Sequence, residues 1–192
     1  MRIGIFSGSF DPIHSGHAMI ANYAAQWVGL DEVWLIVSPL NPLKEGSLPA
    51  PDDNRLAMAA MVARKCANVR VSDFEFGMPL PSYTYRTLTS LARSYPDDEF
   101  ILVIGSDNWI NFEEWRDYDR IIDEFKILIY PRPGYAVDKD CLPASVSLME
   151  EAPQALISSS FIRESVKEGK NLNFFLPPEV FEYIKKNRLY ER

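Results

Sequence analysis

The sequence predicts a doubly wound α/β fold: a Rossmann-like parallel sheet with helices on both faces and a small helical extension at its C-terminal end. Three observations lead there. Short apolar runs alternate with amphipathic stretches over most of the chain. The runs are rich in Val, Ile and Leu without in–out alternation, which is how strands read when both faces of a parallel sheet are covered. The first run passes through a Gly/Ser loop straight into a helix-like stretch, the strand–loop–helix junction on which such folds are built. Repeated alternation of this kind implies right-handed crossovers between parallel strands.

The elements follow in order. Arg2–Phe6 is the first strand and Gly16–Val28 the first helix; Val33–Ser38 is the second strand. The second helix spans Asp53–Cys66, with Asp52 and Asp53 after Pro51 as its N-terminal cap. Its Leu56, Met58, Ala59, Ala60, Met61 and Ala63 form one broad apolar side. Val69–Phe74 is the third strand, Tyr85–Ser94 a helix, and Phe100–Ile104 the strongest strand of all. A broken helix from Asn108 to Glu124 leads to a strand at Ile127–Tyr130, and Pro131-Arg132-Pro133-Gly134 ends the regular pattern. Tyr135 to Pro153 is less orderly, with a short edge strand at Val146–Met149. A helix from Ser159 stops at Gly169, and a last helix runs from Pro178 to about Asn187.

At 192 residues the chain suits one domain, residues 1–192, with a core at 1–134 and a C-terminal part at 135–192. Apolar content of 47% suffices for a core, and no run reaches the roughly 20 apolar residues of a membrane span. Met1-Arg2-Ile3-Gly4 leads directly into a strand, which leaves no room for a signal peptide. Cys66 and Cys141 are too few and too separated for a disulfide scaffold or a CxxC site, and read as reduced thiols of a cytoplasmic protein. The net charge of −7 argues against a general nucleic-acid binder. It leaves room for a nucleotide held by local Lys, Arg and backbone N–H groups with Mg²⁺.

The only two histidines lie in one window, Ser7-Gly8-Ser9-Phe10-Asp11-Pro12-Ile13-His14-Ser15-Gly16-His17. A glycine-containing loop at a helix start offers unpaired N–H groups and the positive end of the helix dipole, a setting for phosphate. His14 and His17, one turn apart, would stand beside it. The plainer alternative is a loop in which Asp11 caps a turn and the histidines merely pack. Metal binding by the pair is another, but two histidines alone do not complete a ligand set. A second window, Ile157-Ser158-Ser159-Ser160-Phe161-Ile162-Arg163, puts three serines before a helix. They are ordinary caps, or with Arg163 one turn in, an anion site.

Together these windows resemble the paired signatures of the HxGH nucleotidyltransferases, the second being similar to their ISSTxIR motif. The resemblance implies that His14 and His17 lie along the α-phosphate of ATP, with the backbone of Gly8, Ser9 and Phe10 around it. It implies that Ile157, Ser159, Ser160 and Arg163 serve the nucleotide and its β- and γ-phosphates, and that Asp11-Pro12 shapes the loop. Gly105-Ser106-Asp107, at the end of the strongest strand, is otherwise a tight turn; in this family a similar GxD meets the adenosine ribose. Lys44 of Asn41-Pro42-Leu43-Lys44, otherwise a solvated loop lysine, matches the family's phosphate-binding lysine.

Pro81-Ser82-Tyr83-Thr84 with Thr87-Leu88, Trp115 with Tyr118, and Arg132-Pro133-Gly134 resemble segments of the bacterial nicotinate-mononucleotide adenylyltransferases. Arg86 departs from that pattern, and Arg116 is not the aromatic residue that some relatives carry beside the tryptophan. The resemblance implies that Trp115 stacks on the pyridinium, backbone N–H groups around Tyr83 and Thr84 take the nicotinate carboxylate, and Arg132 binds the acceptor phosphate. By itself Trp115 reads rather as a helix residue packed on the core. The implied reaction joins ATP and nicotinate mononucleotide to give deamido-NAD and pyrophosphate. Mg²⁺ would arrive on ATP, with no metal site of the protein's own, and the protein would be a monomer or a small homo-oligomer without nucleic-acid or membrane partners. The alternatives are a nicotinamide mononucleotide or dual-specificity enzyme, a phosphopantetheine or cytidylyl transferase, and a non-catalytic nucleotide-binding regulator.

Overall fold

The computed structural model describes residues 1–39 and 49–191. Among them six strands form one sheet: β1 (Arg2–Gly8), β2 (Glu32–Val37), β3 (Val69–Ser72), β4 (Glu99–Gly105), β5 (Lys126–Tyr130) and β6 (Val146–Leu148). Their order is β3-β2-β1-β4-β5-β6, and every neighbouring pair is parallel. The order reverses between β1 and β4, so the crevice beyond their carboxyl ends is where this architecture binds ligands.

The α-helices are α1 (Ser15–Trp27), α2 (Asp52–Ala63), α3 (Thr84–Ser94), α4 (Ser106–Ile110), α5 (Tyr118–Glu124), α6 (Ser159–Lys167) and α7 (Pro178–Lys186). Two buried clusters cover the two faces of the sheet. On one, Val33, Leu35 and Val37 of β2 meet Ala21 and Ala24 of α1, Met58 and Ala59 of α2, Ile162 of α6 and Ile184 of α7. On the other, Trp34 and Ile36 join Ile3, Ile5, Leu102, Leu88 of α3 and Ile121 of α5. The alternate residues of β2 thus feed opposite cores, which is why its sequence shows no polar face. The C-terminal helices share the core of α1 and α2.

Four expectations are corrected in detail. The predicted third strand stops at Ser72, and Phe74–Gly77 turns into a 3₁₀ segment begun by a bond from the Phe74 N–H to Ser72 Oγ (3.2 Å). The carboxylates of Asp52 and Asp53 do not cap α2: Pro51 occupies the cap position without a side-chain bond, and Asp52 pairs with Arg55 instead. The apolar side of α2 is narrower than its composition suggests, since Leu56, Ala60 and Met61 are only partly buried while Arg55 is fully so. The broken helix begins at Ser106 and is interrupted by a 3₁₀ turn at Phe112–Glu114 and by Asp117, whose φ is 58°.

Candidate active site

The loop after β1 and the start of α1 form one rigid piece. His14 sits at the helix cap in extended conformation, and its Nδ1 accepts the His17 N–H at 3.4 Å. His17 Nδ1 in turn accepts the His14 N–H at 3.2 Å. The two rings stack with centroids 3.7 Å apart. With Nδ1 engaged as acceptor, each ring is left to donate from Nε2. Burial, assisted by the nearby Arg132 guanidinium, depresses the His14 pKa from 6.5 to about 3, so this imidazole is uncharged at neutral pH. Between the histidines, a Cβ on Gly16 would meet His14 Cε1 and Nδ1 at 3.1 Å, so the close approach of ring to helix depends on glycine. Phe10, held at φ 44°, backs the His17 ring edge-on with centroids 5.2 Å apart.

The second window closes onto this loop. Ser158 caps α6 by accepting the Phe161 N–H at 3.1 Å, which relieves the other two serines of that duty. Ser159 Oγ donates to the Pro12 carbonyl at 3.0 Å. Arg163 Nη1 donates to the Asp11 carbonyl at 2.8 Å, and its Nη2 donates to Ser160 Oγ at 3.2 Å. The Asp11 carboxylate is consumed by structure, accepting the Ala50 N–H at 3.0 Å and the Tyr190 hydroxyl at 2.7 Å. Burial and that carboxylate push the Tyr190 hydroxyl pKa well up, so it remains a donor. Asp11 therefore shapes the loop, as the sequence suggested. Ile157 lies with His14, Gly16, His17 and Arg132 in one narrow cleft.

At the end of β4, an added Cβ on Gly105 would lie 2.2 Å from Asp107 Oδ1, so the aspartate folds back against backbone that only glycine leaves open. Asp107 Oδ2 faces Arg132 Nη1 at 3.5 Å, and the Arg132 N–H bonds Ser106 Oγ at 2.8 Å. Asp107 makes no capping bond to α4, contrary to the plain turn reading. β4 and β5 thus deliver Asp107 and Arg132 beside the histidines.

A cavity of about 190 Å³ opens on the other side of Gly8, walled by Tyr83, Thr84, Trp115 and Arg116 and floored by Ser7 and Glu75. Tyr83 is the cap residue of α3 and makes no side-chain cap bond, so the first N–H groups of the helix, from Thr84 on, face the cavity without an internal acceptor. Trp115 leans on Phe112 with ring centroids 5.1 Å apart, which fixes its plane at the cavity wall. Among the described residues, the buried side-chain polar atoms that lack a partner are Glu75 Oε2, Ser82 Oγ and Asp107 Oδ1. Glu75 and Ser82 line the cavity and Asp107 faces Arg132; buried polar atoms are rarely left unpaired, and a bound group is one way such an atom finds its partner.

Of the predicted site residues, Gly8, Tyr83, Thr84 and Trp115 share the cavity, His14, His17, Ile157 and Arg132 share the cleft, and Ser159 and Arg163 are bonded to the loop between them; Lys44 lies outside the described residues. Three participants escaped the sequence reading. Arg55 is wholly buried and ties the carbonyls of Ser9, Ser38 and Ala50 together at 2.6, 2.7 and 3.0 Å. The signal was present: Arg55 stands three, four and seven residues before Met58, Ala59 and Val62, on the buried stripe of α2. Glu75 and Arg116 carried no local signal, being one charge in an apolar stretch and one beside a tryptophan. Among the described residues no three His, Cys, Asp or Glu side chains gather to hold a metal, and no helix is long and apolar enough to cross a membrane.

The profile of the cytidylyltransferase-like family matches residues 5–165. The chain is 49% identical to a probable nicotinate-nucleotide adenylyltransferase of Bacteroides thetaiotaomicron over 96% of its own length and 91% of that protein. It is 41% identical to the protein of the same description from Flavobacterium johnsoniae, over the full length of both. In fold it is similar to a solved Plasmodium falciparum nicotinic acid mononucleotide adenylyltransferase complexed with NaAD, with a TM-score of 0.84 at 21% identity, covering 99% of this chain and 97% of that one.

Proposed function

The chain belongs to the cytidylyltransferase-like family, and we propose that within it the protein is a nicotinate-nucleotide adenylyltransferase, moving the adenylyl group of ATP onto nicotinate mononucleotide. One observation carries the reading. Two windows nearly the whole chain apart are bonded into a single surface, Ser159 to Pro12 and Arg163 to Asp11, and an aromatic cavity opens at Gly8, at the start of the loop that carries the paired histidines.

In this reading the acceptor phosphate, already anionic near neutral pH, attacks the α-phosphorus in line with the departing pyrophosphate. The P–O bond to the leaving group breaks as the new one forms, and no proton need be abstracted. That agrees with the histidines: the Nδ1 lone pair of His14 is occupied by a backbone N–H, so the ring is a donor and not a base. His14 and His17 offer Nε2–H groups to the α-phosphate oxygens, where charge builds in the transition state. Lys44 has the same role by resemblance. Gly8, Ser9 and Phe10 pass backbone along the triphosphate, and Arg163 with Ser160 takes the leaving pyrophosphate. Ser159, its proton committed to Pro12, braces the loop and can meet the nucleotide only as an acceptor, from a hydroxyl or amino group and not from a phosphate oxygen. Gly105 and Asp107 serve the adenosine ribose, Asp107 with its unpartnered oxygen.

Arg132, next to both His14 and Asp107, holds the acceptor phosphate where it must meet the α-phosphate. Trp115 stacks on the pyridine ring, worth on the order of 1 kcal/mol beyond area burial. The uncapped start of α3 at Tyr83 and Thr84 takes the ring carboxylate. Mg²⁺ enters as part of the substrate MgATP; the donor set around the phosphate path is cationic and N–H-rich, which fits an ion borne by the nucleotide better than one caged by the protein.

The test is pyrophosphate release from MgATP with nicotinate mononucleotide and nicotinamide mononucleotide offered in parallel. Release that requires the acid acceptor and strongly prefers it supports the proposal. Equal rates would retain the transfer and discard the carboxylate site, and release with neither acceptor would overturn the reading.

A further inference from the structure

The cavity beside Gly8 is charged at both ends. At its floor stands Glu75, 2% exposed. Its Oε1 accepts Thr87 Oγ1 at 2.8 Å and Ser7 Oγ at 3.3 Å, whereas Oε2 has no partner among the described residues. At the mouth stands Arg116, with its side chain 61% exposed and its guanidinium 4.8 Å from the centre of the Tyr83 ring. Its ion pair among the described residues is a loose one, to Asp117 at 3.8 Å. A half-satisfied buried carboxylate is costly unless a cation or donor joins it. An arginine held over an aromatic face is preorganised to grip a carboxylate.

We propose that the cavity is matched to a zwitterionic ring, Glu75 facing the positive ring nitrogen and Arg116 the ring carboxylate, so that Arg116 sets the preference for the acid over the amide. The inference rests on the adenylyl-transfer reading and deepens its acceptor site. The polarity agrees with connectivity. The ring nitrogen bears the ribose and must lie toward the histidine loop, the side on which Ser7 and Glu75 stand. The carboxylate on the far side of the ring then reaches Tyr83, Arg116 and the open start of α3. A ligand with a neutral amide keeps the Glu75 contact and forfeits the Arg116 one. An uncharged ring that keeps its carboxylate would forfeit the Glu75 contact and keep the Arg116 one.

The experiment measures kcat and KM for the two acceptors and for ATP in the wild type, Arg116→Met and Glu75→Gln. Removing the guanidinium should raise KM for nicotinate mononucleotide by about tenfold or more, the size of one charge-assisted contact, while the value for nicotinamide mononucleotide moves by less than about twofold. Glu75→Gln keeps an oxygen for Ser7 and Thr87, and should raise KM for both acceptors by similar factors while KM for ATP and the melting temperature stay near wild type. An unchanged acid-to-amide ratio of kcat/KM in Arg116→Met overturns the assignment of Arg116. A Glu75→Gln enzyme that loses thermal stability and ATP affinity but keeps both acceptor KM values overturns that of Glu75, leaving a structural carboxylate. A wild type that uses neither acceptor overturns the adenylyl-transfer reading itself, a result distinct from the other two.

Discussion

Replacing Arg55 by Met should destabilise the protein by several kcal/mol and disable the phosphate loop together. The guanidinium is 0% exposed and donates to four carbonyls, those of Ser9, Ser38, Ala50 and Pro39, at 2.6 to 3.3 Å, besides its pair with Asp52. Hydrogen bonds from a charged donor are each worth about 1.5–3 kcal/mol, but a single buried cation serves all of these and the values do not add. Removing one partner of a buried charged cluster costs about 3–5 kcal/mol, because the acceptors stay behind without their donor. For a chain of this size each kcal/mol lowers the melting temperature by roughly 2–4 °C, so the expected fall is about 6–20 °C. Calorimetry reads the fall directly. Pyrophosphate release below the new midpoint reads the loop, since Ser9 follows Gly8 in the chain and the Ser38 N–H bonds the Gly8 carbonyl at 2.9 Å. Arg55→Lys, which keeps the charge without the planar fork, should recover less than half of the lost stability. A melting temperature of Arg55→Met within about 2 °C of wild type, with ordinary turnover, would refute the reasoning.

Other perturbations separate chemistry from folding. His17→Ala should melt like the wild type yet lose two to three decades in kcat, the usual cost of about 3–4 kcal/mol for one transition-state donor; turnover within threefold of wild type would remove His17 from the mechanism. Gly16→Ala should leave stability equal or slightly raised, since alanine is the better helix former, while its Cβ pressing on His14 at 3.1 Å lowers kcat by about tenfold. Stability and activity falling in parallel would contradict that split. The buried His14 makes a pH prediction: the unfolded chain protonates it below 6.5 while the folded protein resists down to about 3. Its contribution is therefore flat above pH 6.5 and becomes increasingly destabilising as pH falls through that window, by about 2 kcal/mol at pH 5. Thermal unfolding between pH 7 and 5 should show this slope in the wild type and lose most of it in His14→Asn.

How much of this was legible beforehand follows from where the information resides. Strands buried on both faces announce themselves by unbroken Val, Ile and Leu, so β1, β2, β4 and β5 were found to within two residues, and the short edge strand β6 to within one. Loops anchored by special residues were equally readable, since the window from Gly8 to His17 carries its own shape in order and spacing. Misreadings arose where tertiary context overrode a local preference. The acidic pair after Pro51 has every local reason to cap α2, yet Asp52 turns to Arg55, a residue whose carbonyl partners come from the connection after β1 and from both ends of the connection between β2 and α2. The same holds for Glu75, whose surroundings are supplied by Ser7 of β1 and Thr87 of α3.

What no sequence pattern conveys is the protonation state on which the chemistry depends. Two histidines beside a triphosphate invite a picture of cationic imidazoles neutralising phosphate, and the motif alone does not discourage it. The geometry argues otherwise for His14. Its Nδ1 lone pair is spent on the His17 N–H, its ring is 4% exposed, and Arg132 adds positive charge nearby. On the proposed reading, a neutral donor in that position contributes most where oxygen charge increases, in the crowded transition state, and comparatively little to an ATP ground state that Arg163 and the loop amides would already meet. A fully charged histidine would hold the substrate and the product nearly as tightly as the transition state and so gain less in rate. Replacing His14 should accordingly depress kcat far more than it raises KM for ATP, and a mutant defective mainly in ATP affinity would show that the ring acts as a binding cation after all.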